Sequence, residues 1–342
     1  MNSQLRTRIV RYLEAREAVK SVFPMESEYS FPVGANLYVT ANTPVDIERL
    51  RDCKRFIKSE AGIFSNFRGS VFVPLACKLA LCGDPAAQWE RARANYRMLD
   101  EHFFRSEYLA LAALLLTDSA SDADVAAIAA RARTLYLRMR GAHPFLTGQE
   151  DAVFSVLLAQ SPRSDDELFA DMEECYRLLG ARFPKSDGMQ AASHVLAMID
   201  GASAQKAGRM IALFDAIADA GGRYGREWQL PALAAFAADD TPVESIASDM
   251  LEAAAFLHGQ SGYRTVFGYD RKTRMMHAAM LVASERDAHL ANTTAQQSAI
   301  AMIAAQQAML CAMVACSAAS ASAAWSRATS ERKSTAHTLW PT

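Results

Sequence analysis

The chain has 342 residues, more than the roughly 250 to 300 at which single hydrophobic cores stop growing, so it is either two domains or one elongated array. Hydrophobic residues make up 51% and charged residues 22%, which is ordinary globular usage and excludes general disorder. Its 36 basic against 38 acidic residues leave a net charge of -2, with no electrostatic footprint for nucleic acid or an anionic membrane.

The N-terminus, from Met1 to Arg6, runs straight into a charged amphipathic pattern and lacks the apolar stretch of a signal peptide. Residues 1–42 are expected to form an N-terminal helical cap. Within it, Asn36 to Thr40 is the best strand candidate of the chain, and the neighbouring helical pattern absorbs it as helix.

From residue 43 to 288 a pattern recurs about every forty residues, the range of helical-hairpin repeats. Amphipathic helices are predicted at Ile47 to Ser59, Ala86 to Phe103, Val125 to Arg140, Glu167 to Arg182, Gln205 to Ala220 and Val243 to His258. Each precedes a short helix of apolar and small residues, beginning near Val71, Leu109, Asp151, Met189, Leu230 and Met275. Tyr96, Tyr136 and Tyr176 stand forty apart with Phe214 next, as if one aromatic fills the same slot in successive units. Thr43-Pro44, Asp84-Pro85 and Thr241-Pro242 supply caps and first-turn prolines, and Ser164 to Glu167 reads as a capping box.

The expectation is therefore an all-α protein of about six helix-loop-helix repeats in two layers, either an open α-solenoid or a closed α/α toroid, with the open form preferred. Ala- and Ser-rich helices approach closely inside, and helices carrying Arg, Glu and Asp lie outside.

In such an array every outer-to-inner loop emerges on the same edge. Those loops mix aromatics with charges, and they supply the candidate ligand-binding residues: Arg68, Arg105, Glu107, Glu150, Asp151, Lys185, Asp187, Arg226, Glu227 and Trp228. The cations could clamp an anionic group, the carboxylates could act as acid, base or cation ligands, and the aromatics could wall a pocket. The structural alternative is that the carboxylates only cap the following helices and oppose their dipoles. His194 and His277, on inner helices, are a weaker lead, because a lone histidine on an apolar helix is usually a hydrogen-bonded core residue. No phosphate loop, nucleophile elbow, zinc-helix motif or dinucleotide fingerprint is present, and no cofactor or metal is implied.

The six cysteines include no CxxC pair and read as buried thiols in a reducing cytoplasm. Residues 289–325 are predicted as an Ala-rich C-terminal helix, whose portion 298–325 packs in the array or pairs with a second copy rather than entering a membrane, and 326–342 as a flexible tail.

Lys58 to Ser65 with Phe67-Arg68-Gly69, then Arg105 to Ala112, then Ala304 to Ala308, resemble a bacterial family catalogued as domain of unknown function 4003, over nearly the full length. The resemblance implies a bacterial cytoplasmic protein and carries over no activity or catalytic residue. The reading is then a repeat-built binding or scaffold protein holding a peptide, protein or small anionic ligand. The alternatives are an α/α-toroid hydrolase or lyase with paired carboxylates and an arginine clamp, and a homo-oligomer assembled through its C-terminal helix.

Overall fold

The computed structural model describes residues 1–264 and 268–290, with side chains to residue 286. The predicted helix over 298–325 and the tail lie outside the described residues. Among those described there are fourteen α-helices and no strand. They run as α1 (Ser3–Val22), α2 (Ser30–Thr40), α3 (Ile47–Glu60), α4 (Phe72–Leu81), α5 (Pro85–Asp100), α6 (Glu107–Ser119) and α7 (Val125–Ala142). The second half is α8 (Asp151–Leu158), α9 (Asp165–Leu179), α10 (Asp187–Ala197), α11 (Ser203–Asp219), α12 (Leu230–Ala234), α13 (Val243–His258) and α14 (Arg271–Leu290). The strand-like run Asn36 to Thr40 is the last half of α2.

The helices pair as antiparallel hairpins, α1 with α2 through α13 with α14. The N-terminal segment makes such a pair itself, so seven hairpins stand where the sequence pattern marks six. Even-numbered helices are the inner ones. Every residue of α6 from Leu109 to Thr117 is buried, as is all of α8. Each large apolar side chain so buried contributes about 1.5–3 kcal/mol relative to exposure. Odd-numbered helices bury one stripe only, as α3 does with Leu50, Cys53 and Ile57.

Neighbours touch within each layer, α6 to α8 to α10 to α12 to α14 inside and α5 to α7 to α9 to α11 to α13 outside. The series returns on itself, because α1 packs against α13 and α14 and α2 against α14. The preferred open form is therefore not what the contacts describe. Loop closure across so many residues needs a specific seam, and a buried polar one is present. Tyr12 and Tyr263 share a hydrogen bond at 2.8 Å, and Tyr263 bonds Nδ1 of His277 at 2.7 Å. The fully buried Arg16 guanidinium lies 5.7 Å from the Tyr263 ring centre and 5.5 Å from that of Tyr269. Burial, then the charge of Arg16, pushes His277 down to about 3, so it sits in the seam as a neutral ring. Gly262, at φ +77°, completes the seam, since a Cβ there would lie 2.3 Å from Nη2 of Arg16.

Equivalent positions do equivalent work along the chain. Arg49, Arg91, Arg131 and Arg209, on α3, α5, α7 and α11, each donate to carbonyls in the last turn of, or just past, the inner helix of their own hairpin. The acceptors include Ala80, Ala120, Ala159 and Phe236, at 2.6, 2.7, 3.0 and 3.1 Å. A helix C-terminus leaves carbonyls unpaired and carries partial negative charge, so a guanidinium there satisfies both needs. In α9 the slot holds Asp171 instead, and the cation comes from elsewhere. Buried Lys206 bonds Asp171 at 2.6 Å and the Ile199 carbonyl at 2.8 Å. A second ladder holds the opposite edge. Phe67, Phe103, His143 and Phe183, from successive outer-to-inner loops, pack on Tyr96, Tyr136, Tyr176 and Phe214 of the following outer helix, with ring centres 5.2, 5.6, 4.4 and 5.0 Å apart.

Candidate functional site

The outer-to-inner loops gather at the N-terminal ends of the inner helices. Local chemistry starts those helices there: Ser106 accepts from the Leu109 N–H at 3.1 Å, Ser186 from Met189 at 3.3 Å and Asp270 from Thr273 at 2.7 Å. Neighbouring loops are also tied to one another. Glu107 Oε2 accepts from both the N–H and the hydroxyl of Ser70 at 2.7 Å. Gln190 Nε2 donates to Thr147 Oγ1 at 3.0 Å. Gly188 lies so close to the Glu227 carbonyl that a Cβ would come within 2.1 Å of it. These contacts tie the second loop to the third, the fourth to the fifth and the fifth to the sixth.

The centre of this edge is acidic. Burial, then the negative charges of Asp151 and Asp187, pushes Glu150 up to about 7. Asp187 is raised too, first by burial and then by Asp151. Tyr108 is pushed well up by burial and by Glu150 and Glu107, and Tyr136 is raised by burial against Arg140, with Asp151 and Glu150 adding to it. Asp151 is buried, and its Oδ2 accepts from the Gly148 N–H at 2.9 Å.

Behind Asp151 the interior is polar and incompletely paired. His194 Nδ1 stands 3.3 Å from Asp151 Oδ1, out of line for a hydrogen bond, and has no other partner. Gln190 Oε1 has none either. Both side chains are fully or nearly fully buried, at 2% and 1% exposure. An unmade hydrogen bond in such a place costs about 1–3 kcal/mol, which a bound donor or acceptor beside His194 and Asp151 would offset.

Of the ten sequence candidates, the fold brings Glu107, Glu150, Asp151 and Asp187 into one electrostatic neighbourhood through Tyr108 and one another. It does not gather the cations. Arg105 pairs at 2.8 Å with Asp100 at the end of α5, Arg68 reaches back to the Ala61 carbonyl at 3.5 Å, and Arg226 lies over the Phe214 ring at 5.5 Å. Lys185 and Glu227 are exposed, and Trp228 is half-buried against the core. Gln190, Thr147 and Tyr108 escaped the sequence reading. The available signal was the four-residue spacing of Gln190 and His194, which puts both on one helix face. His277, the other histidine lead, belongs to the closing seam. Among the described residues no group of three or more His, Cys, Asp or Glu side chains is placed to hold a metal ion, and no helix is long and apolar enough to cross a membrane.

Sequence comparison agrees with the motifs of α3 and α6. The family described as Protein of unknown function (DUF4003) matches residues 16–308. The chain belongs to this DUF4003 family. No curated protein and no solved structure matches it. The matched span covers the carboxylate group and, of the seam, Arg16, Tyr263, Tyr269 and His277, with Tyr12 lying before it.

Proposed function

We propose that this DUF4003 chain is a binding protein whose ligand is neutral or cationic and rich in hydrogen-bond donors, held over the N-terminal ends of α6, α8 and α10. The observation that carries this reading is the Glu150, Asp151 and Asp187 group, backed by the unpartnered Gln190 and His194. A group of three carboxylates that outnumbers the neighbouring Arg140 guanidinium attracts donors and repels anions. The reading therefore departs from a small anionic ligand. Ring closure supports it by fixing the loops relative to one another, which keeps the ordering cost of binding low. A bacterial cytoplasmic setting accords with the family resemblance and with the free thiols Cys53, Cys77, Cys82 and Cys175.

A second reading, an acid-base hydrolase or lyase, is favoured by one observation. Glu150, raised to about 7, can hold and release a proton near neutral pH beside a second carboxylate.

The test is calorimetric titration of the purified chain with spermidine and, separately, with citrate. Spermidine is expected to bind with a Kd below about 1 mM, and the double variant Glu150→Gln, Asp187→Asn to lose it. Citrate binding without spermidine binding would reverse the assignment of charge. Turnover of chromogenic glycosides or esters that disappears in Glu150→Gln would promote the second reading.

A further inference from the structure

We propose that the same edge docks a basic amphipathic peptide segment of a partner protein. The charge half of this inference rests on the acidic-edge reading above. The apolar half stands on a separate observation. Met25, Phe64, Phe104 and Phe145 are 93%, 99%, 77% and 98% exposed, with Ile63 beside Phe64 at 77%. They occupy the outer-to-inner loops of the first four hairpins, one loop after another. Among the described residues the other exposed large apolar side chains, Val10, Ile47, Met98 and Leu137, lie on outer helices and are no more than 49% exposed.

Loop anchoring does not account for this row, because each of these loops already has a different residue doing it. Phe23 packs on Phe72 at 5.4 Å, Phe67 on Tyr96, Phe103 on Tyr136 and His143 on Tyr176. Every loop thus carries one anchored ring and, within three residues, one apolar side chain left in water. An ordered row of this kind marks an interaction surface. Adjacent helices pack 8–10 Å apart, so four loops extend the row over about 25–30 Å. Because the hairpins close on themselves the row follows an arc, whose straight-line span of about 20 Å is the length of a helix of roughly 13 residues.

The charges beside the row choose the partner. Glu26 lies in the Met25 loop, whose Glu28 is already paired with Arg16 and Lys20. Glu107, bonded to Ser70, follows Phe104, and Glu150 and Asp151 follow Phe145. Arg105 beside Phe104 is paired with Asp100, and the exposed Arg97, which lines the cavity beside Phe64, is outnumbered by these carboxylates. An anionic lipid surface would be repelled, whereas a helix with one apolar face and flanking Lys or Arg side chains satisfies both the tips and the carboxylates.

The experiment is fluorescence anisotropy with a labelled Leu/Lys amphipathic peptide of about 13 residues and its Leu/Glu counterpart. Both are added to the full chain, to Phe64→Ser/Phe104→Ser/Phe145→Ser, and to Asp187→Asn/Glu150→Gln. The expected result is saturable binding of the Leu/Lys peptide only, weakened at least about tenfold by either set of substitutions. The tips being exposed, the triple variant should keep its melting temperature and its spermidine binding. Loss of peptide binding in the carboxylate variant alone, with the triple variant unaffected, overturns the docking row and leaves the acidic site standing. Tip-dependent peptide binding indifferent to the carboxylates and to spermidine overturns the partner's assigned charge. Tip-dependent binding to anionic vesicles without peptide binding, or a dimer that the triple variant dissolves, overturns the proposal in favour of lipid or a second copy.

Discussion

Glu150 offers the sharpest quantitative test, because its environment works against its ordinary chemistry. A carboxyl whose folded-state value is raised from 4.5 to about 7 binds its proton more tightly folded than unfolded. Its contribution to stability is therefore fully present below pH 4.5 and is lost as pH rises through 7. The displacement corresponds to about 3 kcal/mol at most, at 1.36 kcal/mol per pH unit. Glu150→Gln keeps the shape and removes the titration. The variant should match the wild type near pH 4.5 and exceed it at pH 8 by about 2–3 kcal/mol, with the gap opening between these limits. Urea denaturation followed by circular dichroism at four pH values measures it. A wild-type-minus-variant difference that stays constant from pH 4.5 to 8 would refute the argument that burial and crowded carboxylates govern this edge.

Removing the Arg16 guanidinium with Arg16→Met should cost about 2–4 kcal/mol through lost ring and hydrogen-bond contacts, and hydrogen exchange should quicken first in α1 and α14. Gly262→Ala should disturb the same seam, since its Cβ would meet Arg16 at a positive φ. Lys206→Met removes the closer of Asp171's two cations and leaves Arg163 at 2.9 Å, so a loss of about 1–3 kcal/mol is expected at neutral pH, shrinking on acidification as Asp171 takes up a proton. Burial pushes the Cys53 thiol up to about 11 and Cys175 to about 12. In a Cys311→Ser/Cys316→Ser background a disulfide reagent at pH 8 should therefore modify Cys82 first, the half-buried one, and the other three only on unfolding.

The hairpin helices were legible because burial leaves a period: α6 and α8 are apolar all round, and α3 has its stripe at Leu50, Cys53 and Ile57. The forty-residue aromatic series was visible too, and the structure gives it a job, each ring receiving one from the preceding loop. Closure was not legible. It depends on Tyr12, Arg16, Tyr263 and His277, which come from opposite ends of the described chain and carry no periodic signal. The arginine slot at residues 49, 91, 131 and 209 was readable in principle but interrupted by Asp171, whose cation arrives from the next outer helix. The arginine clamp was misleading for a physical reason. A guanidinium in a loop finds the nearest carboxylate or carbonyl, and for Arg105 and Arg68 those are Asp100 and Ala61 on the outer side.

The remaining question is whether the carboxylates of this edge do anything beyond capping helices, and the protein contains its own control. Glu167 is a helix-capping carboxylate by geometry, bonding the N–H and hydroxyl of Ser164 at 2.9 and 2.7 Å, and its side chain is lowered by those bonds as a cap requires. Glu150 and Asp187 also sit at helix N-termini, where the dipole alone, at about 0.3–1 kcal/mol, would lower them. Both are raised instead. Burial and mutual repulsion therefore outweigh the dipole at this edge, and capping explains Glu167 without explaining them. A donor brought in by a ligand would relieve both costs at once, and so bound spermidine or a lysine-rich peptide should lower the titration of Glu150. Binding should accordingly release a proton near pH 7, which calorimetry in buffers of different ionisation enthalpy would register. No proton release at that pH would mean that the ligand binds elsewhere.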